Sequence, residues 1–268
     1  MTQQDLTEAY ENGRYIKDAE TYPPRWDASA AAYREALGAR GLAQLDLAYG
    51  PSARARLDLF FPDGAAKGLV VFVHGGYWLA FDKSSWSDLA EGARAAGWAV
   101  AMPSYDLCPD VTIAQITQQV AQAVEAAAGR VGGPIRLTGH SAGGHLVARL
   151  AMPRVLSAPV ARRVAAVVPI SPLGDLRPLM QTAMNATLGL DQAQAVAESP
   201  ALAPPPVMDV TVWVGANERP AFLDQARWLS QAWSCPMVVA PGRHHFDVIA
   251  PLGEPGSDLV RTLLNAQG

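Results

Sequence analysis

One stretch of the chain, Thr138-Gly-His-Ser-Ala-Gly-Gly-His145, places a serine among glycines as Gly139-x-Ser141-x-Gly143. A serine hydroxyl attacks an external carbon only from a tight, strained turn that lifts its oxygen clear of the backbone. Such a turn brings the residues two before and two after it together, where only very small side chains fit. A helix that starts beside the serine adds the positive end of its peptide dipoles for charge developing nearby. The chemistry these residues suit is nucleophilic attack on a trigonal carbon, with Ser141 as the nucleophile.

Attack of that kind creates an oxyanion, which preorganised N–H donors stabilise by about 3–4 kcal/mol each. Upstream, Phe72-Val-His-Gly-Gly-Tyr-Trp78 follows an apolar run and carries two adjacent glycines. Glycines there let backbone amides approach the oxygen with no side chain in the way. The donors are assigned to the amides of Gly76 and Tyr77 with that of Ala142 as partner, and Gly75 stands as the alternative to Gly76. His74 fits an organiser of this loop better than a base. Tyr77 and Trp78 are too apolar for a surface loop; they are expected to wall a substrate pocket, with filling of the core as the alternative.

The serine needs a base to remove its proton. Of five histidines, His140 lies inside the turn and His145 on the following helix. That leaves His244 and His245 in Pro241-Gly-Arg-His-His-Phe-Asp247. The base in turn needs a carboxylate to fix its tautomer and stabilise its charged form. Glu218 is the only carboxylate in Gly215-Ala-Asn-Glu-Arg-Pro-Ala-Phe222, just past a predicted strand; pairing with Arg219 is its structural alternative. Asp247, two residues beyond His245, is the competing acid.

These residues must be positioned by elements of two kinds. Short apolar runs predict strands over 57–61, 68–73, 98–102, 135–138, 164–170, 210–214 and 237–239. Helical patterns fall between them, over 85–96, 113–128, 143–150, 221–232 and 257–264. The alternation predicts an α/β fold with a mostly parallel central sheet and helices on both faces. The order nucleophile, acid, histidine is that of the α/β-hydrolase fold. Residues 1–40 read as an arm on the main body, interrupted at Pro23-Pro24 and helical over 27–37. Residues 171–206 read as a small cap-like insertion over the carboxyl ends of the strands. The whole of 1–268 is expected to form a single domain.

Composition narrows the class. The chain has 268 residues, is 50% hydrophobic and 17% charged, and carries a net charge of −4. A disordered acidic tail and a polycationic nucleic-acid binder are both excluded. The two cysteines show no CxxC or metal-ligand spacing, which fits a reducing compartment. A polar N-terminus and the lack of any long apolar run lead us to expect a soluble, cytoplasmic protein. No metal and no cofactor is expected. The expected partner is a small-molecule acyl substrate, with no nucleic acid and no membrane; a homodimer is left open.

Three motifs together, His74-Gly-Gly-Tyr-Trp78, Gly139-His-Ser-Ala-Gly-Gly144 and His245-Phe-Asp-Val-Ile249, resemble the kynurenine formamidase (arylformamidase) branch of the α/β-hydrolases. That branch lies within the esterases with HGG oxyanion loops. Similar stretches include Tyr49-Gly50, Tyr105-Asp-Leu-Cys-Pro109, Asp175-Leu-Arg-Pro-Leu179, Asn185 and Glu198-Ser-Pro200, so the resemblance runs from about 45 to 250. It implies a serine hydrolase that removes the formyl group of N-formylkynurenine in tryptophan breakdown. By position Ser141 is the nucleophile, His245 the base and Glu218 the acid, with Phe246 a further substrate-binding residue. The family commonly has Asp where this chain has Glu218. A short-chain carboxylesterase using the same groups is the alternative.

Overall fold

The computed structural model describes residues 3–264; the first two and last four residues of the expected domain lie outside the described residues. Its nine strands are β1 (Ala43–Ala48), β2 (Arg56–Phe60), β3 (Leu69–Val73), β4 (Ala99–Pro103) and β5 (Ile135–His140), then β6 (Val164–Ile170), β7 (Asp209–Val210), β8 (Val212–Gly215) and β9 (Met237–Ala240). They form one sheet in the order β1-β2-β4-β3-β5-β6-β8-β9, with β7 beside β6. Pairing is antiparallel from β1 to β2 and from β2 to β4, and parallel elsewhere.

Strands β3, β4 and β5 are buried along their whole length because helices cover both faces. Side chains alternate between two cores. Leu69, Val71 and Val73 join one cluster, and Val70 and Phe72 join the other. The parallel register also aligns strand ends, with Val73 beside Gly139, His140 beside Ile170, and Gly215 beside Ala240. Loops leaving these ends therefore meet on one edge of the sheet.

Four expectations need correction. Strand β1 is missing from the sequence reading because it is an exposed edge strand, irregular between Gln44 and Leu47 and with Asp46 at φ 55°. The strand expected over 210–214 is split into β7 and β8 at Thr211, whose N–H donates to Val167 O at 3.1 Å. Pro23 and Pro24 do not interrupt the arm; they open the helix Tyr22–Ala39, where a missing N–H costs nothing. The helix expected over 85–96 is two 3-10 turns and the short helix Glu91–Ala95, closed at Gly97 with φ 90°.

The excursion over 171–206 holds only short pieces, including the helices Asn185–Leu188 and Gln192–Ala197. Leu173, Leu176, Leu179 and Leu188 anchor it to the core. Glu198 ties it to the helix Ala142–Leu150 through Arg149 at 2.9 Å. Among the described residues no helix is long and apolar enough to cross a membrane.

Candidate active site

Ser141 sits between β5 and the helix Ala142–Leu150 at φ 56°, ψ −117°. A left-handed non-glycine residue costs of order 1–3 kcal/mol and persists only where its surroundings over-determine it. Here they do. The Ser141 N–H donates to Ile170 O and its carbonyl accepts from His145 N, both at 2.9 Å. The glycines of the motif are steric necessities: a Cβ on Gly143 would lie 2.0 Å from Val73 O, and one on Gly139 2.4 Å from Gly143 O.

The loop after β3 packs directly on this turn, since a Cβ on Gly75 would come within 3.1 Å of Ser141 Cβ. His74 Nδ1 donates to Gly75 O at 2.7 Å, and its ring stacks on Tyr105 at 4.3 Å. Gly76 has φ 112°, and Tyr77 and Trp78 follow at 54° and 59°. The Gly76 carbonyl turns into its own loop and accepts from Leu79 N and Ala80 N at 2.9 and 3.0 Å. In a planar trans peptide the Tyr77 N–H then points the opposite way.

Burial pushes both His74 and His145 down to about 4. His145 is a structural donor, from Nε2 to Glu198 O at 2.7 Å, with its ring edge-on to Trp78. The ordinary histidine value is 6.5, so below it the unfolded chain takes up protons that the folded chain refuses. Stability is therefore full above pH ~6.5 and falls as pH drops toward 4. Thermal melts from pH 7.5 to 4.5 should show a falling Tm; a Tm that rises toward pH 4.5 would contradict this burial.

His245 is 4% exposed, and its Nδ1 donates to Glu218 Oε2 at 2.6 Å. Glu218 is anchored in turn through Oε1, which accepts from Gly215 N at 2.9 Å and from the Ser171 hydroxyl. The imidazole packs against Phe222 at 4.3 Å and His140 at 4.6 Å between ring centroids. Asp247 faces elsewhere: it accepts from His244 N at 2.7 Å and lies 3.6 Å from Arg243. His244 Nε2 meets the Tyr22 hydroxyl at 3.0 Å. Arg219 lies over the Tyr15 ring at 3.6 Å and makes no ion pair with Glu218.

Ser141, His245, Gly76 and Tyr77 line one cavity of about 130 Å3. Its walls are aromatic: Trp26, Phe81, Trp86 and Phe246. Wider clefts exist, one of about 770 Å3 beside Asp175 and Trp228, but they hold no nucleophile placed beside a base. Trp78 is not a pocket residue. It is fully buried in the core, because two successive left-handed residues turn the chain inward there. The excursion over 171–206 contributes no wall either. The arm does, through Pro23 and Trp26.

Ser171, with φ 47° and no exposure, also escaped the sequence reading. Its signal was only its place one residue past β6. For Trp26 the signal was the one tryptophan among residues 1–40. Among the described residues no group of three or more His, Cys, Asp and Glu is placed to hold a metal. The arrangement can accept a proton at the His245 imidazole, balance the resulting charge on Glu218, and hold an apolar group against aromatic walls.

The chain is similar to several known proteins. A family profile described as the α/β-hydrolase fold matches residues 70–213, more than half of the chain. A kynurenine formamidase of Drosophila melanogaster is 29% identical over 258 residues, covering 87% of this chain and 85% of its own. The kynurenine formamidase of Salmo salar is 28% identical over 250 residues, covering 86% and 84%. The crystal structure of a thioesterase candidate from Silicibacter sp. is 57% identical, with a TM-score of 0.95 over 97% of this chain and 98% of that one.

Proposed function

The chain belongs to the α/β-hydrolase fold family and is a formamidase-like hydrolase, and from that premise we propose that it removes the formyl group of N-formylkynurenine through a serine–histidine–glutamate triad. The observation that carries the reading is the Ser141 and His245 pair at one small aromatic cavity, with Glu218 locked on the far side of the imidazole.

His245 takes the proton from Ser141 Oγ as that oxygen bonds to the formyl carbon. The carbonyl oxygen gains the negative charge and is held by the amides of Gly76, or Gly75, together with Tyr77 and Ala142. Glu218 stabilises the imidazolium, which then gives its proton to the departing aryl amine nitrogen. The formyl ester left on Ser141 is hydrolysed by water in the reverse sense, releasing formate. A formyl group offers almost nothing to grip, so recognition must come from the leaving amine, and aromatic walls suit an aryl ring.

A second reading, hydrolysis of short-chain esters or thioesters, draws on the name of the 57% identical thioesterase candidate. Measuring kcat/KM for N-formylkynurenine, p-nitrophenyl acetate and acetyl-CoA separates the two. The formamidase reading expects the formamide to be preferred by at least about 100-fold over the thioester, a margin of about 2.7 kcal/mol in barrier. Formamide turnover no faster than background would discard it.

A further inference from the structure

The N-terminal arm does more than wall the cavity. Tyr10 and Asn12 are 2% and 3% exposed, although they belong to a segment that reads as polar. Their contacts run to both halves of the site. On one side the Tyr77 hydroxyl donates to Tyr10 O at 2.6 Å and accepts from Asn12 Nδ2 at 2.7 Å. On the other side the Tyr10 hydroxyl accepts from Gln225 Nε2 at 2.8 Å, and its ring meets Phe222 edge-on at 5.9 Å. Phe222 is the residue packed on the His245 ring at 4.3 Å. Contact therefore runs from the oxyanion loop through Tyr10 and Phe222 to the imidazole, and Asn12 braces its loop end at the Tyr77 hydroxyl.

We propose that Tyr10 and Asn12 form a strut that sets the Tyr77 amide at its working distance from Ser141 and His245. The proposal rests on the reading above, in which that amide binds the oxyanion. Tyr77 is held at φ 54°, a conformation that its own bulk disfavours and that must be enforced from outside. The two bonds to its hydroxyl pin the far end of the side chain, so the backbone cannot relax without breaking both. Burial raises the Tyr77 hydroxyl well above its ordinary value, so it keeps its proton and can donate. Asn12 and Tyr10 are positioning residues: neither lines the cavity.

The test compares wild type with Asn12→Ala, Tyr77→Phe, the double variant and Ser141→Ala. It reads kcat and KM with p-nitrophenyl acetate and N-formylkynurenine, Ki for phenylboronic acid as an oxyanion mimic, and Tm. A strut predicts kcat lower by roughly 10- to 100-fold, as small misplacements of reacting groups cost, with KM within about twofold. The phenylboronic acid Ki should rise in parallel, and the double variant should be no worse than Tyr77→Phe alone. A fall in Tm with unchanged kcat, or multiplicative losses in the double variant, would overturn it. If Asn12→Ala does not fold, Tyr77→Phe carries the same kcat and Ki expectations by itself. Turnover that survives Ser141→Ala would sink the underlying reading, whereas Ser141-dependent turnover indifferent to Tyr77→Phe would sink the strut alone.

Discussion

Ser141→Ala is expected to lower kcat by about 10^5- to 10^6-fold, the scale seen when the nucleophile of such a unit is removed. The substitution deletes one oxygen and keeps the Cβ. The bonds that hold the turn, Ser141 N to Ile170 O and His145 N to Ser141 O, are backbone bonds and survive it. Alanine at φ 56° is strained no more than serine was, so the melting temperature should move by only a few degrees. Steady-state turnover and a thermal melt on the same preparation check both halves. A variant that keeps even one per cent of wild-type kcat would remove Ser141 from the chemistry.

Glu218→Gln carries the next largest effect, a loss of up to ~10^4 in kcat by analogy with other triad acids. The local hydrogen bonds give the reason. Oε1 takes donors from Gly215 N and Ser171, so the glutamine oxygen must occupy that place and its NH2 must face His245 Nδ1. Two donors cannot share one bond. The imidazole then accepts at Nδ1 and keeps its proton on Nε2, leaving no lone pair for the proton of Ser141. Flipping the amide instead would set its NH2 against the Gly215 N–H, a donor that cannot turn to accept. Asp247→Asn, which only loosens the contacts to His244 and Arg243, should change kcat/KM by less than about threefold, the scale of a surface pair. Should Asp247→Asn prove the more damaging of the two, the acid has been misassigned.

The contrast between Glu218 and the aspartate common in the resembling family has a structural counterpart. The longer side chain leaves one more torsion to fix. Ser171 and Gly215 both bond to the oxygen that does not face the histidine, so the carboxylate cannot swing away. No local pattern announces Ser171 for this task. A serine after a buried strand is ordinary, and only the line of β6 beside β8, with Ile170 opposite Trp213, brings it to Glu218.

The turn at Ser141 and the glycine pair at 75 and 76 were legible without coordinates, because their geometry is a local steric demand that the residue types themselves express. The alternation of strands and helices was legible for the same reason: burial on both faces of β3 and β4 leaves short apolar runs, too short for helices and bounded by turn residues. Local patterns were weaker where the chain is exposed or irregular. Strand β1 is a half-solvated edge, and the helix Tyr22–Ala39, with Pro23 and Pro24 in its first turn, looks like a break when only the prolines are weighed.

Long-range packing decided the rest. The sequence offered two adjacent histidines, His244 and His245, and two carboxylates on different loops, Glu218 and Asp247, either of which could serve a histidine at that place. The register of β8 against β9 turned His245 inward onto the glutamate, while His244 faces Tyr22 of the arm and Asp247 stays on its own loop with His244 and Arg243. The sequence also made Trp78 a pocket wall, while the inward turn of the chain gave that place to Trp26, a residue distant in sequence. A backbone turn is governed by the atoms within it. Which side chain fills a cavity is governed by every segment that competes to be buried there, and that competition is settled only when the whole chain has folded.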